Sequence, residues 1–188
     1  LLSMRAADIT TQVVEKTLVQ TTFGVRCLVA SPHPKDIECV NATDQVSALL
    51  KTLPQLAPLV LLDIGANVWP NFGLLLSQCQ EVIVVTEPYP GMMPPTRIFI
   101  EELVGLGFGK NKLMTLVMVN RVRADVQLSV TQVQENLGRQ VVQVIPPAPE
   151  LAYQAALRGV PLTQVQPEGL LAQQFARLAD VVAARVKI

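Results

Sequence analysis

Four pairs of residues close apolar runs in this chain, and each is of a type that can meet a ligand: Asp63 with Gly65, Glu87 with Pro88, Asn120 with Arg121, and Pro146 with Pro147. In an open parallel sheet, ligands bind outside the carboxyl ends of the strands, so these ends are where chemistry is to be sought. An aspartate after an apolar strand is suited to holding a water on Mg²⁺, because a hard cation takes oxygen ligands and keeps several waters. The same aspartate can instead cap or turn the chain by satisfying free backbone donors. The amide of Asn120 offers a donor and an acceptor in one plane, which matches the edge of a purine. An Asx turn is its other reading.

The remaining chemistry-bearing residues are more isolated. His33, the single histidine, stands between prolines in SPHPKD with no carboxylate or thiol at ligand spacing, and reads as a surface loop residue. Asp36 and Glu38 beyond it suit a helix start. Cys27, Cys39 and Cys79 are odd in number and form no CxxC pair, so they read as buried reduced thiols and not as a disulfide framework or zinc site. Trp69, in NVWPNF, fits either a contact or a packing role. GLGFGKNK at 105–112 carries glycines and lysines but follows a helical pattern and precedes a strand-like one. A phosphate loop needs the order strand, loop, helix, so this segment reads as a helix C-terminus.

Positioning these residues requires strands and crossovers. Five segments are rich in aliphatic and β-branched residues: 25–30, 59–64, 81–87, 113–120 and 140–146. None alternates with polar residues, the pattern of strands buried on both faces. Between them, Val40 to Leu53 and Pro95 to Leu106 place apolar residues at helical spacing. The region 1–18 is also helical by pattern, and 167–186 carries a stripe at Leu171, Phe175, Leu178, Val182 and Val186. The expected fold is therefore α/β, a three-layer α/β/α sandwich around a mainly parallel sheet of about five strands.

Composition narrows the class of partner. The 188 residues suit a single domain, half of them are apolar and 16% are charged. Fifteen basic and fifteen acidic residues cancel, so no net positive field draws in nucleic acid or anionic lipid. No apolar run approaches the roughly 20 residues of a spanning helix, and the N-terminus lacks the regions of a signal peptide. A soluble, cytoplasmic protein is expected. The mean hydropathy of +0.38 with so few charges suggests that apolar surface is reserved for another domain or subunit.

Taken in order, LLDIGA, VIVVTEPYPGMMPPTRIFIEEL, VMVNRVRAD and VIPPAPELAYQAALRGVPL with a closing helix resemble the C-terminal two-thirds of MinD/ParA-type P-loop ATPases. Within that superfamily they look most like the CpaE-like branch associated with pilus assembly and localisation. The resemblance spans about residues 20–186 and implies a P-loop NTPase-like fold. It implies that Asp63 is a catalytic residue of the second switch region, supporting Mg²⁺ through water and the attacking water, with Gly65 in the moving segment. It further implies that Asn120 reads the adenine edge with Arg121 beside it, and that Ile145, Pro146 and Pro147 form a wall of the adenine pocket. Ala148 stands where members often carry an acid.

Such ATPases open with a strand and a KGGxGKT loop whose backbone N–H groups and lysines hold phosphate. Residues 1–188 contain no such segment, and the chain begins at Leu1 without methionine. The expectation is a C-terminal portion of the domain, with the phosphate-loop strand and helix encoded upstream. ATP and Mg²⁺ are then cofactors of the intact protein by resemblance, with ATP-promoted dimerisation and partners in a pilus or positioning system. As given, the chain is expected to be inactive. The alternative is a degenerate, non-catalytic scaffold working through protein contacts. A missing central strand leaves unpaired edges, from which a homodimer is expected.

Overall fold

The computed structural model describes residues 1–65, 71–121 and 127–186. Trp69 lies outside the described residues. The chain divides into two compact units, Leu1–Cys79 and Gln80–Lys187.

The first unit is mainly helical. A 3-10 turn at Ala6–Asp8 precedes α1 (Thr11–Thr17), whose start is set by Thr10, its hydroxyl accepting from the Val13 N–H at 3.4 Å. Of the helix expected over 1–18 only Thr11–Thr17 is α-helical, and an Arg5–Asp8 ion pair at 2.8 Å spans the 3-10 turn before it. Strands β1 (Val19–Gln20) and β2 (Arg26–Cys27) form a small antiparallel ladder. A long 3-10 stretch at Pro34–Asn41 then leads into α2 (Thr43–Leu56), and α3 (Phe72–Ser77) follows later. Buried Asn71, which directly precedes α3, ties that helix to the start of α2. Its Oδ1 accepts from the Thr43 hydroxyl at 2.8 Å and its Nδ2 donates to the Val40 carbonyl at 2.8 Å.

Two segments expected as strands behave otherwise. Of residues 25–30 only Arg26 and Cys27 pair, and residues 59–64 form no strand. Val25, Val29, Leu59 and Leu61 are exposed, the last to 77%. Strand preference measures fit to a pleated, half-buried neighbour, so β-branched and aliphatic composition alone does not create a strand where no ladder forms.

The second unit carries the α/β architecture. Strands β3 (Glu81–Thr86), β4 (Leu113–Val119) and β5 (Val141–Ile145) pair in parallel in the order β3-β4-β5. Helix α4 (Met93–Gly105) connects the first two and α5 (Val130–Leu137) the second two. Right-handed crossovers in a constant direction place both helices on one face of the sheet. Met93, Ile100 and Leu103 of α4 and Val133 and Leu137 of α5 are buried there. Pro94 and Pro95 fall in the first turn of α4, where a missing N–H costs no helical bond.

Helix α5 is bounded by strong local signals. Ser129 and Gln132 form a reciprocal capping box at its start, and Gly138 closes it with a left-handed φ of 62°. Arg97 of α4 donates to the carbonyl of Asn136 at 2.7 Å, satisfying one of the last carbonyls.

After β5 come α6 (Pro149–Arg158), α7 (Leu162–Val165) and α8 (Leu170–Val186). Leu171 of α8 packs with Val117 and Ile145, joined by Phe175 and Leu178, so the expected C-terminal stripe lies against the sheet. Among the described helices none is long and apolar enough to cross a membrane.

Candidate functional site

The carboxyl edge of the three-stranded sheet is built by strand ends that the ladder holds in register. Thr86 pairs with Met118 and Val119 with Ile145, which brings the residues just beyond β3, β4 and β5 to one edge. The ladder runs one step further at Asn120, whose N–H donates to the Ile145 carbonyl at 2.9 Å. Asn120, Arg121, Pro146 and Pro147 are therefore gathered on this edge, as expected from their positions.

Asn120 is half-buried, and its Oδ1 is buried with no hydrogen-bond partner among the described residues. A buried acceptor left unpaired costs roughly 1–3 kcal/mol, so such an atom calls for a donor from elsewhere. The main-chain N–H of Asn120 is used in the ladder, so the donor has to be a water, a side chain or a ligand group at the strand end. The N6 amino group of adenine has that chemistry. Arg121 extends from the next position and donates from Nη1 to Glu87 Oε1 at 3.1 Å. Pro146 and Pro147 are half-buried and carry no N–H, so they present an apolar wall.

Asp63 and Gly65 belong to the first unit. Asp63 is exposed, and its Oδ1 accepts from the Gly65 N–H at 3.0 Å. This is the turn-forming role weighed for it from sequence. Gly65 takes a φ of 65° with open space where a Cβ would stand, so conformation and not crowding favours glycine there. Among the described residues the Asx turn engages one of the two carboxylate oxygens. No group of three or more His, Cys, Asp or Glu suited to a metal occurs among the described residues.

Other candidates resolve structurally. His33 is exposed at the start of the 3-10 stretch, its N–H donating to Ser31 Oγ at 3.2 Å. The three cysteines are free and half-buried, not fully buried. In GLGFGKNK, the Gly107 carbonyl receives the N–H groups of Asn111 and Lys112 at 3.0 Å each, while Phe108 is fully buried. The backbone donors are consumed inside the turn, so it is a helix stop and not a phosphate cradle.

Glu87 entered the sequence reading only as a strand end. Its pairing with Arg121 depends on β3 and β4 being neighbours, and the available signal was opposite charge at the ends of two consecutive strands.

No protein-family model matches this chain, and no curated protein matches it by sequence. Among solved structures it is similar to a ParA family ATPase from Chlorobium tepidum, at 15% identity and a TM-score of 0.77, over 90% of this chain and 69% of that one. The cell division ATPase MinD of Pyrococcus furiosus aligns at 18% identity and a TM-score of 0.77, over 98% of this chain and 77% of its own. The septum site-determining protein MinD of Pyrococcus horikoshii, complexed with Mg-ADP, aligns at 20% identity and a TM-score of 0.76, over 96% and 76%. The chain has the P-loop NTPase-like α/β fold of MinD and ParA ATPases.

Proposed function

We propose that this chain is part of a nucleotide-dependent ATPase of the MinD/ParA kind, of the CpaE-like branch that its strand-end motifs resemble. The carrying observation is the buried, unpaired Oδ1 of Asn120 at the carboxyl edge of a parallel sheet. Asn120 would accept a hydrogen bond from the adenine amino group, and Pro146 and Pro147 would wall the base. Guanine presents an acceptor at the corresponding position, so the same oxygen disfavours it.

Asp63 would act through water on Mg²⁺ and on the attacking water, with its turn to Gly65 holding the carboxylate in place. Bound nucleotide and Mg²⁺ supply the phosphoryl group and its charge neutralisation. The phosphate-contacting strand, loop and helix would come from a segment outside residues 1–188, forming one domain with them. Supporting that placement, β3 pairs on one side only among the described residues, and Ile83 and Val85 on it are 37% and 61% exposed. Dimerisation on ATP and service to a pilus or positioning system complete the proposal, and both rest on the family resemblance.

The test is ADP binding to the full-length natural protein and to its Asn120→Ala variant. Micromolar binding that Asn120→Ala weakens about tenfold or more supports the proposal. A folded full-length protein that binds no nucleotide overturns it in favour of a non-catalytic scaffold.

A further inference from the structure

We infer that Glu87 is a positioning residue of the base-binding edge: it holds the guanidinium of Arg121, the residue that follows Asn120, and base recognition depends on that pair. The inference rests on the nucleotide reading above.

The two members of the pair are unequally held. The Arg121 side chain is 73% exposed and Glu87 is 36% exposed, with 3.1 Å between Nη1 and Oε1. On one side of Glu87, buried Thr86 is hydrogen-bonded at 3.1 Å to Thr96 of α4. On the other, the carbonyl of buried Pro88 accepts from the Leu128 N–H at 3.0 Å. The acid thus stands on a backbone anchored before and after it, whereas the arginine is a long chain caught at its tip. Glu87 is the fixed partner and Arg121 the placed one.

The consequence follows from the chemistry of the guanidinium. A planar, permanently charged group stacks on aromatic faces, and a partner that holds one nitrogen lowers the ordering cost when a base arrives. Arg121 directly follows Asn120, whose orphaned oxygen marks the base edge. Without Glu87 the exposed guanidinium would lose its anchor and sample more orientations, and its contribution to the base would fall with it.

The experiment is calorimetric binding of ADP and of pyrophosphate to the full-length protein and to Glu87→Ala, Glu87→Gln, Arg121→Ala and the Glu87→Ala/Arg121→Ala double variant. Glu87→Ala and Arg121→Ala should each weaken ADP binding about two- to fivefold, the range of an exposed ion pair. The double variant should be no weaker than Arg121→Ala, because both single changes remove the same interaction. Pyrophosphate, which has no base, should bind all variants alike. Glu87→Gln, which keeps an acceptor oxygen and the shape, should fall between wild type and Glu87→Ala. Unchanged ADP affinity in Glu87→Ala, additive losses in the double variant, or an equal loss for pyrophosphate would each overturn the inference while leaving an Asn120-dependent site standing. A wild-type protein that binds no ADP overturns the underlying reading, and this inference with it.

Discussion

The guanidinium of Arg185, near the end of α8, lies 3.4 Å from the carboxylate of Glu81 at the start of β3, tying the last helix to the first strand of the parallel sheet. Arg185 and Glu81 also both bond to the hydroxyl of fully buried Thr115 on β4. The Glu81 side chain is only 5% exposed, and its Oε2 has no partner among the described residues. This network is only partly satisfied, so it tolerates loss of its cation poorly.

Replacing Arg185 by alanine should therefore destabilise the protein by about 2–3 kcal/mol, a little below the usual cost of stranding a buried charge because Arg185 is partly exposed. Glu81→Gln in the same background should recover much of that loss. Urea denaturation of the single and double variants measures both effects.

Asn120→Ala separates stability from binding. Removing an unpaired buried acceptor should leave the unfolding midpoint of the nucleotide-free protein unchanged or slightly raised. Adenine-nucleotide affinity should fall about tenfold or more. A thermal melt with and without ADP reads the two together, since only a bound ligand shifts the midpoint.

At Asp63 the isosteric and truncating changes should differ. Asp63→Asn retains an oxygen that can accept from Gly65 and should keep the turn, while the proposed function predicts that any Mg²⁺-dependent ATP hydrolysis by the full-length protein is lost. Asp63→Ala should lose hydrolysis and also about 0.5–1 kcal/mol of stability, as the exposed turn bond goes with the carboxylate. Phosphate release and chemical denaturation distinguish them.

The eight-residue helix α5 depends on its two ends. Ser129→Ala removes the capping hydroxyl and should cost about 1 kcal/mol. Gly138→Ala should cost a similar amount, about 1 kcal/mol, by forcing a side chain into a left-handed backbone. The sites lie at opposite ends of the helix, so the double variant should be additive within about 0.5 kcal/mol by urea titration.

What the sequence determined alone was local and periodic. The apolar runs 81–87 and 113–120 became parallel strands because each has a neighbour on which its side chains pack. The proline-led helix, expected over 95–106 and found at 93–105, the stop at GLGFGK and the C-terminal stripe on α8 were legible because prolines, left-handed glycines and spacings of three and four act within a few residues. The placement of Asn120, Arg121, Pro146 and Pro147 on one edge also followed, since parallel strands end on the same side. Only tertiary structure decided what depends on who stands beside whom. It left 59–64 without a ladder despite its strand-like composition, because hydrogen-bond pairing belongs to a pair of strands and not to either one. It joined Glu87 to Arg121 and Arg185 to Glu81, 104 residues apart, and it left the Asn120 oxygen buried without a donor. Ion pairs and orphaned atoms are properties of distance in space, and residue spacing along a chain carries no measure of that distance until strand order is known.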